Sequence, residues 1–149
     1  PPCLVFSVAR KPDGAKKDTL LNIERNGEFV VNSTEEDFAD RANAASAAFP
    51  HGISELEKVG LNPIPSTWVR PPRVQESAIH IECRLEKLVE IGGEEAGAAT
   101  LVIGRILGMH VAERVLTAGE IDYQKLKPVA RLGRHEWLRG GEIFTLPRP

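Results

Sequence analysis

Ile79-His80-Ile81-Glu82-Cys83-Arg84-Leu85-Glu86 alternates apolar and polar side chains, with the apolar phase on the odd positions. Successive side chains of an extended chain point to opposite faces, so the run predicts a strand that buries Ile79, Ile81, Cys83 and Leu85 on one side. The pattern reaches from about Ala78 to Glu90. A second apolar, β-prone stretch runs from about Ala99 to Val111, and Gly92-Gly93 between the two supplies turn chemistry. Together they read as a long antiparallel hairpin. Cys83 within it reads as a buried free thiol, because Cys3 is the only other cysteine and neither belongs to a CxxC pair or a Cys-His cluster.

Before the hairpin, Cys3-Leu4-Val5-Phe6-Ser7-Val8 is a short apolar run, followed by the turn residues Lys11-Pro12-Asp13-Gly14. Apolar on both faces, it is expected to be central in an intact sheet and, where the first strands are missing, to stand at an open edge. Asp18 can cap a helix in which Leu20, Leu21 and Ile23 form a stripe and Asn26-Gly27 is the stop. Glu28 to Asn32 reads as the next strand. Ser33 with Glu36 has the spacing of a capping box, opening a helix that buries Phe38, Ala42, Ala45 and Phe49. Ser54 with Glu57 repeats the signature ahead of Gly60, and a loop follows through Pro63, Pro65, Pro71 and Pro72. Beyond the hairpin, Asp122 can start a turn of helix to Leu126, Pro128 stops it, and Glu142-Ile143-Phe144-Thr145-Leu146 reads as a last strand. The fold class is mainly β with inserted helices, since strands do not alternate regularly with helices as in a parallel α/β sheet. A barrel with helical insertions fits best, and 149 residues suit a single domain over 1–149.

Composition narrows the function. Nineteen basic against 21 acidic side chains leave a formal charge of −2, which lacks the basic excess of a nucleic-acid binder. The apolar stretches, broken by Arg105, fall short of a bilayer span. The cysteine usage makes a reducing cytoplasm the expected setting. The chain has no initiator methionine and opens on Pro1-Pro2 directly before a strand-like run, so an N-terminal piece is expected to be missing. His51, His80, His110 and His135 form no HExxH motif, no serine sits in a GxSxG elbow, and neither GxGxxG nor GxxxxGK[ST] occurs. Metal, hydrolase, Rossmann and P-loop chemistry therefore lack a foothold.

Three segments carry alternatives. Lys16-Lys17-Asp18-Thr19 offers ammonium groups, a hydroxyl and free amides at a helix start, either a small anion site or a capped helix with solvated lysines. Asn43-Ala44-Ala45-Ser46 either admits a flat ligand close to the backbone or is ordinary helix packing. Arg131-Leu132-Gly133 with Arg134-His135 is either a second anion site or a solvated basic loop.

Lys17-Asp18-Thr19-Leu20-Leu21-Asn22-Ile23 followed by Gly27-Glu28-Phe29-Val30-Val31-Asn32 resembles the flavin reductase-like FMN-binding family. The resemblance continues in order through Asn43 to Ser46, Phe49-Pro50-His51-Gly52, Ser54 to Leu61, Pro72 to Ser77, Glu82 to Leu85, Val102-Ile103-Gly104 and Arg131-Leu132-Gly133. It implies a Greek-key antiparallel split β-barrel, flavoredoxin-like or NADH:FMN oxidoreductase-like, here lacking its first strands. It also implies a cytoplasmic homodimer that binds FMN near the subunit interface and transfers hydride or electrons through it. Carried over by position, Lys17 and Thr19, with Arg10 nearby, lie beside the FMN phosphate; Asn43, Ala44 and Ser46 line the cofactor site, and Asp18 caps the helix beneath. Where related reductases carry Gly-Asp-His, this chain has Gly97-Ala98-Ala99, which leaves NAD(P)H as donor open. Arg105 and Trp137 also depart from the family pattern. An electron carrier without a nicotinamide site, or a barrel serving assembly alone, are the alternatives.

Overall fold

The computed structural model describes residues 1–147. The expected hairpin is present as β5 (Ile79–Ile91) and β6 (Ala99–Val111), paired antiparallel. β1 (Cys3–Ala9) pairs with β6, and β2 (Glu28–Asn32) pairs with β5, giving a four-stranded antiparallel sheet in the order β1-β6-β5-β2. The odd phase of β5 faces the core as its alternation predicts: Cys83 is fully buried, and Ile81 and Leu85 pack against the same cluster. A register shift between Leu85 and Lys87 moves the phase by one residue, so that Leu88 joins the core side.

α1 (Asp18–Asn26) lies on this face and buries Leu20 and Ile23. It ends as the sequence predicts, with Gly27 in the left-handed region at φ 68° donating its N–H to the Ile23 carbonyl. Leu20, Ile23, Phe29, Val8, Cys83 and Val102 form the main core, each buried apolar side chain contributing roughly 1.5–3 kcal/mol. Phe6 meets Phe29 edge to face at 5.4 Å. A second cluster of Phe38, Leu61 and Val74 joins α2 (Ala39–Ala44) and α3 (Glu55–Val59) to the two-residue ladder of β3 (Pro63–Ile64) and β4 (Arg73–Val74).

β1 stands at an open edge of the described sheet, paired with β6, the place expected for it where the first strands are missing. Leu4, Phe6 and Val8 turn inward, whereas Cys3 and Val5 are exposed. Other expectations are corrected. Asp18 does not cap α1: the N-cap position is Lys17, no side chain bonds there, and Asp18 is the first helical residue. Ser33 and Glu36 form no capping box. The Ser33 hydroxyl donates to the buried Glu35 carboxylate and accepts the Ile79 N–H, and a 3-10 turn over Glu36–Phe38 precedes the short α2. The buried Glu35 competes for the serine more effectively than a solvated helix start.

The segment from Glu142 to Leu146 is irregular and exposed. The final hairpin instead pairs β9 (Val129–Gly133) with β10 (Glu136–Arg139), turning at Arg134, whose φ is 50°. Alternation gave the later segment β-preference, but no neighbouring strand edge pairs with it, and strand pairing is what fixes a strand. α4 (Tyr123–Leu126) is as expected, capped by Asp122, whose carboxylate accepts from the Gln124 and Lys125 amides. Among the described residues no helix is long and apolar enough to cross a membrane.

Candidate functional site

Lys17, Asp18 and Thr19 stand at the first turn of α1, beside the irregular segment that leaves α2. Both segments open on one cleft of about 590 Å³, which Lys17, Asp18, Thr19 and Ser46 line together. The turn after β1 contributes Lys11, Pro12 and Asp13; Ala45, Ala47, Ala48 and Phe49 form a mostly apolar wall, and Glu55 stands on α3. Two segments far apart in sequence thus converge on one helix start. The first amides of a helix lack intrahelical acceptors and point toward such a space.

The charges are specific. Lys16 turns away, its Nζ 2.6 Å from Glu24 Oε1, which leaves Lys17 as the ammonium group that α1 presents to the cleft. The Asp18 carboxylate is held by Lys11 Nζ at 3.5 Å and by His51 Nδ1 at 3.3 Å. Asp13 accepts the Ala15 N–H at 3.0 Å, closing the turn. The Ser46 hydroxyl donates to the Asn43 carbonyl at 2.7 Å. Arg10, Asn43 and Ala44 are not brought into the lining: Arg10 Nη1 donates to the Gly14 carbonyl at 3.0 Å, and Asn43 and Ala44 are exposed at the end of α2. The basic run Arg131 to His135 is an exposed hairpin.

A larger groove of about 990 Å³ lies on the other side of α1, against β1 and β2. Its walls include Leu4, Phe6, Ile23, Phe29, Val31 and Ile81, and Thr19 lines both spaces. It has the greater volume but an apolar lining, and its charged pair, Glu28 and Arg70, is self-satisfied at 3.1 Å. Lys17 and Ser46 line the smaller cleft only, and Thr19 stands between the two spaces.

A buried polar cluster lay unread in the sequence. Glu82 is fully buried, and its carboxylate accepts the N–H groups of Thr67, Trp68 and Val69 at 2.6 to 3.2 Å and His110 Nε2 at 2.8 Å. Burial acts to raise the Glu82 pKa, but the Thr67 and Trp68 amides and His110 more than offset it and hold the carboxyl below its ordinary value. Trp68 packs over His110 with ring centroids 5.0 Å apart. His80 gives its Nε2 to the Val74 carbonyl at 2.8 Å, while its buried Nδ1 has no partner among the described residues. Burial, opposed by that bond and reinforced by Arg73 and His110, lowers its pKa. In the sequence these residues are only the polar phase of two strands, and the signal that joins them is the register that places His80 opposite His110.

Among the described residues no group of three or more His, Cys, Asp and Glu side chains is arranged to hold a metal ion. Burial pushes the Cys83 thiol up to about 11, so it is no thiolate nucleophile at neutral pH.

The family model for the flavin reductase like domain matches residues 1–127. The chain belongs to this family. An uncharacterized protein of Halalkalibacterium halodurans is 41% identical over 150 residues, covering 100% of this chain and 72% of its own. The structure of nitrilotriacetate monooxygenase component B from Bacillus cereus superposes with a TM-score of 0.90 at 40% identity, over 98% of this chain and 72% of that one. The 2-nitrobenzoate 2-nitroreductase of Pseudomonas fluorescens superposes at 0.84 with 30% identity, over 100% of this chain and 70% of that one. The flavin reductase-like split barrel expected from the sequence is therefore the fold of this chain.

Proposed function

We propose that this flavin reductase-like chain binds FMN and serves reduction through it, with the flavin phosphate held at the start of α1. The observation that carries the reading is the convergence of Lys17, Thr19 and Ser46 on one cleft at a helix N-terminus. The donor set suits a phosphate: an ammonium group, a hydroxyl and the leading amides of α1. Ala47, Ala48 and Phe49 offer an apolar wall to the rest of the ligand. FMN, when bound, supplies the hydride or electron transfer; the side chains bind and orient it and exclude water.

Charge-assisted contacts to phosphate are each worth about 1.5–3 kcal/mol. Lys17→Ala and Thr19→Ala are expected to weaken FMN by roughly tenfold or more and to leave riboflavin, which has no phosphate, nearly unchanged in flavin fluorescence titrations. Equal losses for both ligands would remove the phosphate from this helix start.

A further inference from the structure

The cleft that presents Lys17 and Thr19 is not a simple basic pocket. Its lining holds two lysines, Lys11 and Lys17, against three carboxylates, Asp13, Asp18 and Glu55. An anion entering such a space meets repulsion unless some of these charges are compensated. Asp18 matters most because it sits between Lys17 and Thr19 on the same first turn. Its two oxygens are divided: Oδ1 is 3.5 Å from Lys11 Nζ and Oδ2 is 3.3 Å from His51 Nδ1. The Asp18 side chain is 26% exposed, whereas Lys11 is 43% and His51 71% exposed, so the carboxylate is the more buried member of both contacts.

We propose that Asp18 sets the phosphate selectivity of this site by acting as an internal counter-anion. It occupies Lys11 and competes with any anion at the first turn of α1. The His51 ring stands against Asp18 Oδ2 from outside the lining. Binding of a phosphomonoester draws Lys11 from Asp18 toward the phosphate, and His51 remains to hold the carboxylate aside. Asp18 is thus a specificity-determining residue that weakens binding of phosphorylated ligands, although it stands among the groups that attract them. Its placement on the first helical turn is also favourable to α1 through the helix dipole, which gives the position a structural reason to be acidic.

The inference rests on the phosphate reading above and separates from it by experiment. FMN and riboflavin are titrated by fluorescence against the wild-type chain, Asp18→Asn, His51→Ala and the double variant, with far-UV circular dichroism to verify folding. Asp18→Ser, which keeps a polar side chain at the helix start, replaces Asp18→Asn if the latter does not fold. Loss of one negative charge beside a bound anion in a partly solvated cleft is expected to tighten FMN about tenfold while riboflavin is unchanged. His51→Ala is expected to weaken FMN about twofold to threefold by freeing the Asp18 carboxylate to turn toward the phosphate, and to have no effect once Asp18 is Asn, because His51 acts only through that carboxylate. FMN binding that is unchanged or weaker in Asp18→Asn overturns the proposal, as does equal tightening of FMN and riboflavin. An effect of His51→Ala that persists in the double variant overturns the role given to His51. A wild-type chain that binds both flavins equally overturns the phosphate reading itself, and this inference with it.

Discussion

Glu82 shows how much one buried side chain can organise. A carboxylate removed from water costs several kcal/mol unless its oxygens are satisfied, and here three consecutive amides and an imidazole satisfy them. The same bonds pin the Thr67 to Val69 turn, which carries Trp68 over His110 and leads into Arg70, whose Nε and N–H both reach Glu28 at 3.1 Å. Glu82→Gln keeps the volume but sets an amide NH2 or a neutral oxygen against these donors. The expected loss is about 2–4 kcal/mol of unfolding free energy, read from urea denaturation. His110→Gln, which removes one donor and leaves the three amides, is expected to cost less. A Glu82→Gln variant as stable as the wild type would show that the turn is held by its own ladder of β3 and β4.

At the scale of elements, α1 is the divider of the molecule. Its buried side packs Leu20 and Ile23 on the sheet, its first turn faces the polar cleft, and Asn22 and Asn26 face the apolar groove. The helix reaches the sheet over Phe29, and Phe29 in turn lies on Gly104 of β6, where a Cβ would collide with the ring. Gly108 makes the same allowance for Trp68 on the same strand. The glycines are needed here for space, since neither has a positive φ. Gly104→Ala is expected to destabilise the fold by about 1–3 kcal/mol through overpacking. Adding Phe29→Leu should recover part of that loss, seen as a partial return of the melting temperature. A Gly104→Ala protein with an unchanged melting temperature would mean that the ring has room to move.

For the whole molecule the buried titratable groups determine how stability responds to acid. His80 has its folded pKa lowered by burial, so the unfolded chain takes up a proton more readily, and stability is lost as pH falls below the unfolded histidine value of about 6.5. Glu82, Glu76, Glu28 and Asp122 are held below their ordinary values, so their contribution is present at neutral pH and lost as pH falls through their folded values, from about 4.5 for the glutamates and about 3.8 for Asp122. Glu35 works in the opposite sense. Burial raises its pKa despite the Ser33 and Ala78 bonds, so protonation on acidification relieves a cost. Denaturant midpoints are expected to fall between pH 7.5 and 5.5 and fall again below pH about 4.5. His80→Gln should flatten the first step and spare the second. An unchanged first step in that variant would assign it to another group.

The amino-acid sequence by itself determined the strands of the central hairpin, the extent of α1 and the residues that start and stop α4. These rest on local causes: side-chain alternation along an extended chain, a left-handed glycine at a helix end, an aspartate whose carboxylate reaches amides two and three residues on. Lys17, Thr19 and Ser46 were legible as site candidates because ordered blocks of residues resemble the family. Tertiary structure alone decided that Glu142 to Leu146 is not a strand, because a β-prone segment becomes a strand only against a partner edge. It also decided that Asp18 pairs with Lys11 and His51 instead of capping its helix, that Glu55 of α3 faces the same cleft, and that Glu82 meets His110 beneath Trp68. The contacts with His51, Glu55 and His110 join residues distant in the chain, and local pattern carries no information about which distant charge or edge will arrive within reach.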